Sequence, residues 1–473
     1  MSAADQNPRF STRRENDPGA ATLKAEPLHC FRNEPLASND TDPLKRVVTT
    51  PMLMIFILGD VLGAGVYALA GTIAGRVGGL IWAPLLIALL FALLTAASYA
   101  ELVTKYPRAG GAALYAEKAF GKPWVSFLVG FSMLAAGVTS AAGLAVAFAG
   151  GYLQALVDWS PAWVCLGFLV VVGVLNARGI KEALSANLLM TVIELSGLVI
   201  VIVAAGWFVA GGEGRFAQLL EGDSAVTATS VLGASLLAFY SFVGFETSAN
   251  LAEEVRNVSK VYPRALFGAL LITGAVYLLV GVGAALVLPD DVLKTADAPL
   301  MEVVSASGLG VPTQWFALIA LIAVANGALL TMIMASRLAY GMARQGLLPA
   351  VIGRVLPRRR TPGIAILGTT AVAIALTFTS TLAVLAETVV LLLLFVFIST
   401  NLAVLVLKRD HVDHDHFQVH WIFPVLALAS CALLLSQQSA ETWLRASIML
   451  AVGSVLHAAS SRTRARRLSD GGR

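Results

Sequence analysis

The sequence predicts an all-α integral membrane protein with twelve transmembrane helices. Of its 473 residues, 57% are hydrophobic and 13% are charged, against about 45–50% apolar and about 25% charged residues in typical soluble domains. The charges concentrate at both ends of the chain. Between them lie apolar runs of roughly 18–28 residues, and each is long enough to cross a hydrocarbon core of about 30 Å. A water-soluble enzyme is therefore not expected.

These apolar runs set the predicted order of helices. They occur at 48–75, 79–103, 124–153, 161–177, 185–210, 228–252, 262–288, 313–340, 362–380, 382–407, 421–437 and 441–459. Short polar stretches separate them, as in a chain that crosses the bilayer repeatedly.

The distribution of Lys and Arg predicts the orientation. Loops after even-numbered runs contain sixteen of these residues, and loops after odd-numbered runs contain four. Because cytoplasmic loops carry an excess of basic residues, we expect both termini in the cytoplasm and the helices in the plasma (inner) membrane. The net charge of +4 follows from this topology, so nucleic acid is not an expected partner. The polar residues 1–46 lack the apolar core of a signal peptide and are expected to form a flexible cytoplasmic tail.

Two of the predicted spans contain residues that weaken a helix at mid-membrane depth. The first span has Gly59-Asp60 followed by Gly63-Ala64-Gly65, and the sixth has Phe242-Val243-Gly244-Phe245-Glu246. Glycine costs about 1 kcal/mol relative to Ala inside a helix, and a charge at the bilayer centre is also costly. Both spans are therefore expected to be discontinuous. Paired breaks in corresponding positions of two halves indicate a transporter binding site.

This pairing of spans one and six predicts two inverted five-helix repeats. The expected organisation is a cytoplasmic tail (1–46), a first repeat (47–210), a second repeat (228–408), helices 11 and 12 (421–459) and a basic cytoplasmic tail (460–473). Arginines in the second tail could also contact anionic lipid.

The chemistry of the two breaks predicts a zwitterionic ligand. Unwinding at Gly63–Gly65 would free amide groups at the positive end of the following half-helix, where a carboxylate binds well. Carbonyl groups around Val243-Gly244 would accept hydrogen bonds from an ammonium group. An α-amino acid carries both groups, so it fits two opposed helix ends better than a sugar or a lipid does.

Five motifs carry a family resemblance. They are Leu62-Gly63-Ala64-Gly65-Val66-Tyr67-Ala68-Leu69-Ala70-Gly71, Ala100-Glu101-Leu102 with Tyr106-Pro107-Arg108-Ala109-Gly110-Gly111, Asn176-Ala177-Arg178-Gly179, Phe239-Tyr240-Ser241-Phe242-Val243-Gly244-Phe245-Glu246, and Glu253-Glu254-Val255-Arg256-Asn257. The sequence resembles amino acid permeases of the amino acid-polyamine-organocation superfamily, most closely the cationic amino acid transporter branch. The resemblance implies a LeuT-type inverted five-plus-five repeat with two additional C-terminal helices.

The resemblance also implies transport of amino acids and assigns residues to the substrate. The substrate carboxylate would bind at Gly63, Ala64 and Gly65, and carbonyl groups of Phe242, Val243 and Phe245 would hold its amino group. Secondary active transport by alternating access with proton-coupled symport is our first expectation. Exchange or facilitated passage of cationic amino acids or polyamines without proton coupling is the alternative.

Two acids are candidates for proton coupling. Some bacterial relatives place a proton-coupling lysine in the fifth span, where this chain has Glu194 at the comparable position. Asp60 lies one turn before the glycines of the first span. Acids within membrane helices commonly relay protons. Each acid could instead be a hydrogen-bonded structural group or contact a cationic substrate side chain, and the sequence leaves these alternatives open.

Further residues are candidates for contact and gating. Glu246 follows the sixth-span break and either contacts substrate, gates the site or caps the half-helix that begins there. Phe239 and Tyr240 form either an aromatic lid or ordinary core packing. Glu253, Glu254 and Arg337 form either a cytoplasmic gate or surface pairs worth about 0–1 kcal/mol each.

The sequence gives no support to cofactor-dependent chemistry. Histidine and aspartate recur in the loop at residues 411–420, but we expect a solvated loop there and no metal site. A P-loop is absent from the sequence, so ATP-driven transport within this chain is not expected. The expected partners are an amino acid substrate, a co-transported proton and the lipid bilayer, with no indication of a partner subunit.

Overall fold

The computed structural model describes residues 46–62, 65–108, 110–178, 180–221, 226–356, 359 and 361–470. Gly63, Ala64 and the predicted tail up to residue 45 lie outside these residues. In chain order the helices are α1 (Thr50–Val61), α2 (Gly65–Val77), α3 (Trp82–Lys105), α4 (Gly111–Phe120), α5 (Pro123–Phe148), α6 (Gly151–Gln154), α7 (Pro161–Arg178), α8 (Ile180–Ala210), α9 (Gln218–Glu221), α10 (Ala228–Tyr240), α11 (Val258–Val287), α12 (Asp290–Thr295), α13 (Pro299–Ala306), α14 (Thr313–Arg344), α15 (Gly363–Thr377), α16 (Leu382–Leu407), α17 (Ile422–Leu435) and α18 (Ala440–Asp470). Short 3-10 helices occupy Gly78–Ile81, Phe245–Glu254 and Ala350–Gly353.

The described helices are those of a multi-pass membrane protein. Nine helical stretches within the described ranges are long and apolar enough to cross a membrane. Three shorter apolar helices, α1, α15 and α17, lie in the first, ninth and eleventh predicted spans. Each of the twelve predicted spans contains helix in the structure.

The helices form two packed groups. In one group, α1 and α3 both pack against α11, and α10 packs against α2 and α3. In the other, α5, α7, α14 and α15 enclose a separate hydrophobic cluster around Phe127, Leu169 and Met332. We call these the core group and the frame group. Helix α16 packs against α5 of the frame group and against α10 and α3 of the core group, so it lies between the two.

Backbone hydrogen bonds join the start of α1 to the end of the 3-10 helix Phe245–Glu254. The Val48 amide donates to the Glu254 carbonyl at 3.0 Å, and the Arg256 amide donates to the Val48 carbonyl at 3.0 Å. These residues form a short parallel bridge. Because α1 and this 3-10 helix are connected here, the part of the first predicted span before its break and the part of the sixth after its break are held as one unit.

Candidate functional site

Helix is interrupted in the first predicted span. Helix α1 ends at Val61 and α2 begins at Gly65, while Gly63 and Ala64, two of the expected carboxylate-binding residues, lie outside the described residues. A Cβ atom on Gly65 would lie 2.6 Å from the Cα atom of Ser241. Only glycine permits this approach, and it brings the start of α2 against the end of α10.

The sixth predicted span is also interrupted, at a point that contacts the first break. Helix α10 ends at Tyr240, a turn follows, and the 3-10 helix begins at Phe245. Gly244 has φ +128° and ψ −33°, a conformation that L side chains rarely adopt. A Cβ atom on Gly244 would also lie 2.9 Å from the carbonyl oxygen of Asp60. The glycine is therefore required both for the turn and for contact between the two breaks.

The hydroxyl of Tyr277 on α11 binds carbonyl groups that the interruptions leave free. Its oxygen lies 2.7 Å from the Val61 carbonyl oxygen, 3.0 Å from that of Leu62 and 3.2 Å from that of Ser241. Tyr277 is fully buried. Its single hydrogen is shared among acceptors from both interrupted segments, so one side chain satisfies polar backbone groups that the apolar surroundings would otherwise leave unpaired.

Asp60 connects the two breaks through its side chain. The Thr247 hydroxyl donates to Asp60 Oδ2, and the same hydroxyl lies 2.8 Å from the Gly244 carbonyl oxygen. Thr247 belongs to the 3-10 helix and Asp60 to the last turn of α1. Asp60 thus already has a hydrogen-bond partner, which fits the structural alternative of the sequence analysis.

Glu194 on α8 has a different environment. Its side chain is 0% exposed, and neither carboxylate oxygen meets hydrogen-bond geometry with any described residue. The amide side chain of Asn326 on α14 lies beside it and is likewise buried without a partner in the described part of the chain. Asp60 is close enough for its charge to interact with Glu194. A carboxylate here must either hold a proton or meet a cation, because an unpaired charge in an apolar interior is very costly.

Glu246 turns back toward the break. One of its carboxylate oxygens accepts the Gly244 amide at 2.9 Å, and the residue is 4% exposed. This is the capping geometry that the sequence allowed for Glu246. Asp60 also lies within electrostatic reach of Glu246, so Asp60 is the central member of a cluster of three acids, which we call the acid cluster.

Aromatic side chains of the sixth predicted span pack against α16 and α11. Phe245 stacks on Phe397 of α16 with ring centroids 5.6 Å apart, and Phe239 meets the same ring at 5.9 Å. Phe242 contacts Tyr277 edge-on at 5.3 Å. The Tyr240 hydroxyl lies 2.8 Å from the Ser140 hydroxyl on α5, which links the core group to the frame group.

The predicted charged gate residues lie near the end of the sixth span and on α14. Glu254 supplies its carbonyl oxygen to Val48, and Glu253 occupies the preceding position of the 3-10 helix. Arg337 is half-buried on α14. Among the residues that the structure describes, Arg337 forms no ion pair with Glu254.

Two ion pairs that the sequence analysis did not assign join α16 to the core group. Near its start, Glu387 pairs with Arg76 of α2 at 2.6 Å, and Arg76 also donates to the Gly233 carbonyl of α10 at 2.9 Å. Just after its end, Lys408 pairs with Glu101 of α3 at 2.6 Å. Isolated charges near the ends of apolar spans were the available signal, but the sequence does not specify which helices are neighbours.

No group of three or more His, Cys, Asp or Glu side chains suited to a metal ion occurs in the described residues. This includes the loop at 411–420.

The fold and the acid cluster define a multi-pass helical membrane protein with charged groups buried between two interrupted helices. The family model of amino acid permeases matches residues 49–453. The chain belongs to this amino acid permease family.

Curated relatives agree with this assignment. The chain is 33% identical to the low-affinity putrescine importer PlaP of Escherichia coli (strain K12), over 59% of this chain and 63% of that protein. It is 30% identical to the vacuolar cationic amino acid transporter 4 of Arabidopsis thaliana, over 74% of this chain and 60% of that protein. It is 30% identical to an uncharacterized transporter of Mycobacterium tuberculosis (strain ATCC 25618 / H37Rv), over 70% of this chain and 73% of that protein. The chain thus spans less than two thirds of the lengths of the first two relatives.

The conformation of Gly244 generates a stability prediction. We expect Gly244→Ala to lower the free energy of unfolding by about 1–3 kcal/mol, because the new Cβ atom meets Asp60 and the backbone holds a positive φ. The matched control is Gly167→Ala on α7, where nothing lies within 4 Å of an added Cβ atom. The apparent melting temperature of the purified protein in detergent measures both. Equal melting temperatures for the two variants would contradict the contact between the breaks.

The hydroxyl of Tyr277 generates a second prediction. Tyr277→Phe removes the only donor that it offers to the three carbonyl groups, so we expect a loss of about 1–3 kcal/mol in unfolding free energy. Tyr340→Phe on α14 is the control, because the Tyr340 hydroxyl has no hydrogen bond within the described chain. Thermal unfolding followed by tryptophan fluorescence compares the two variants. A larger loss for the control would refute the bridging role of Tyr277.

Proposed function

We propose that the protein is a secondary active transporter of amino acids that works by alternating access and couples transport to protons. Membership of the amino acid permease family supports the substrate class. The two interrupted helices and the acids beside them support a binding site at the breaks. Two of the relatives are named as a putrescine importer and a cationic amino acid transporter, which supports transport rather than an enzymatic activity.

The observation that carries the coupling proposal is the isolation of Glu194. Its carboxylate is fully buried and forms no hydrogen bond of normal geometry with a described residue, although the Asn326 amide lies beside it, while Asp60 accepts from Thr247. Of the two acids proposed for coupling, Glu194 is therefore the better proton carrier. Asp60 then holds the two breaks together and adds negative charge near Glu194.

The arrangement of the substrate in this proposal follows the helix ends. The start of α2 at Gly65, with Gly63 and Ala64, provides amide groups for a carboxylate. The turn from Phe242 to Phe245 provides carbonyl groups for an ammonium group. Glu246 stabilises this turn through the Gly244 amide, and Phe239 and Tyr240 close the site against α16 and α5.

The full architecture is part of the same proposal. It comprises twelve spans with two inverted five-helix repeats at 47–210 and 228–408 and two further helices at 421–459. The excess of basic residues in even-numbered loops supports cytoplasmic termini and a plasma membrane location. In the transport cycle the core group rocks against the frame group.

A second candidate substrate class is favoured by the charge of the site. Asp60 is close enough to interact electrostatically with both Glu194 and Glu246. A cationic side chain or a diamine would neutralise this acid cluster directly. The names of the two relatives, a putrescine importer and a cationic amino acid transporter, also support a cationic substrate. In this case Glu194 binds substrate and proton coupling is not required.

Substitution of Glu194 distinguishes these two roles. With proton coupling, we expect Glu194→Gln to abolish accumulation driven by a pH gradient and to preserve counterflow of substrate, because an amide occupies the space but carries no proton. The measurement is uptake and counterflow of radiolabelled arginine, leucine and putrescine in proteoliposomes. Glu213→Gln is the matched control, since Glu213 is exposed in the loop after α8.

The outcomes separate the candidates. Loss of both accumulation and counterflow for cationic substrates alone assigns Glu194 to the substrate. Unchanged pH-driven accumulation in Glu194→Gln contradicts the coupling role. Absence of uptake of any compound by the wild-type protein contradicts the proposed transport activity.

A further inference from the structure

The segment after α16 folds back onto the end of α3. Residues 408–419 run along the side of the molecule that the charge distribution predicts to be cytoplasmic. We call this segment the clasp. It is continuous with α16 at one end, and its hydrogen bonds to the core group are distributed along its length.

The strongest contact of the clasp surrounds a buried carboxylate. Glu101 on α3, whose side chain is 3% exposed, pairs with Lys408 Nζ at 2.6 Å. The same carboxylate oxygen accepts the Val419 amide at 2.8 Å, and Lys408 also donates to the Val419 carbonyl. Both ends of the clasp thus meet at one carboxylate. Removing either end would leave Glu101 buried with less compensation.

The middle of the clasp is held by the last turn of α3. The Phe417 amide donates to Thr104 Oγ1 at 3.0 Å, and a ring nitrogen of His414 lies 3.2 Å from the Thr104 carbonyl oxygen. Phe417 also contacts Phe267 of α11 with ring centroids 6.0 Å apart. The clasp therefore contacts two helices of the core group, α3 and α11.

The end of α3 in turn binds the end of α16. Lys105 Nζ donates to the Leu407 carbonyl at 2.7 Å and to the Asp410 carbonyl at 2.6 Å, which satisfies carbonyl groups at the end of a helix. The Tyr106 hydroxyl donates to the Asp410 carboxylate. Burial, together with Asp410, raises the pKa of Tyr106 above its ordinary value, so this hydroxyl keeps its proton at neutral pH.

Water has access to the outer side of these contacts. A cavity of about 480 Å³ is lined by Glu101, Lys105, Lys408 and clasp residues including Asp413 and His416. The polar groups that separate when the clasp detaches can therefore be hydrated, which makes detachment feasible at a buried ion pair.

We propose that the clasp is the closure of the cytoplasmic side, and that it must detach from α3 before the core group can tilt away from the frame group. This inference rests on the proposed alternating-access function. It places the closing contacts at Glu101, Thr104 and Lys408. The Arg76–Glu387 pair ties the opposite end of α16 to the core group.

A cysteine reporter tests the closure. In a background with Cys30, Cys165 and Cys431 replaced by Ser, Ala249→Cys places a thiol on the 3-10 helix. Ala249 is 0% exposed, and its Cβ atom lies 3.8 Å from the Cβ position of Gly111 on α4, which packs on α5 and α16. The thiol becomes accessible when the core group leaves this position. Its reaction rate with a fluorescent maleimide, measured on the detergent-purified full chain, reports opening.

Lys408→Met should increase the labelling rate about fivefold or more, as expected when one contact of a two-state closure is removed. Arg409→Met is the matched control and should label at the parent rate, because Arg409 is the exposed neighbouring cation and its side chain has no hydrogen bond within the described chain. Thr104→Val leaves the ion pair intact, removes the acceptor of Phe417 and should give a smaller increase.

Parent-level labelling in both Lys408→Met and Thr104→Val would overturn the proposal. If Lys408→Met does not fold, Thr104→Val decides the question alone. Thermal stabilisation by amino acids or putrescine is measured on the same samples. It distinguishes a failure of the clasp proposal from a failure of the proposed transport function. Stabilisation without a change in labelling refutes the clasp only, whereas faster labelling without stabilisation by any ligand supports the closure and refutes the proposed substrate class.

Discussion

The contact between the two interrupted helices is the constraint on which the rest of the structure depends. Gly244 adopts a positive φ and approaches the Asp60 carbonyl, and Gly65 approaches the backbone of Ser241. Carbonyl groups exposed by these interruptions need donors inside an apolar bundle, and Tyr277 supplies one. The breaks therefore depend on each other and on α11. This explains why glycine, a residue that weakens helices, occurs where the backbone must both turn and pack closely.

The same contact concentrates negative charge. Asp60 reaches Thr247 across the breaks and lies within electrostatic range of Glu194 and Glu246. Glu246 is partly compensated by the Gly244 amide, but the Glu194 carboxylate, with the Asn326 amide beside it, forms no hydrogen bond of normal geometry with a described residue. A site with one unsatisfied acid has two stable solutions, protonation or a bound cation. Exchange between these solutions is the physical basis of coupling in the proposed function.

Sequence reasoning predicted local features well and contacts between distant segments poorly. Apolar length and glycine placement located the helices and the sixth-span interruption, because both depend on a few consecutive residues. The hydrogen bond from the Gly244 amide to the Glu246 carboxylate also joins residues that are near neighbours in sequence. Other contacts depend on helix packing between residues up to 307 positions apart in the sequence. They are the contacts of Asp60 with Thr247, of Val61 with Tyr277 and of Lys408 with Glu101. A single sequence contains no local pattern from which these residue pairs could be predicted. The loop at 411–420 was expected to be solvated, and most of its residues are exposed. The hydrogen bonds that join its end to Thr104 and Glu101 of α3 were not predicted.

Ligand-dependent stability of the purified protein tests the central claim most directly, namely that the acid cluster lies in a binding site for amino acids or amines. Thermal unfolding would be measured at pH 5.5 and 7.5 with the twenty amino acids and putrescine, for the wild-type protein and Glu194→Gln. A ligand at 100 times its Kd stabilises the folded state by about 2.7 kcal/mol. The account predicts that at least one compound raises the melting temperature of the wild-type protein and that Glu194→Gln changes the pH dependence of this increase. The absence of stabilisation by every compound at both pH values would contradict it.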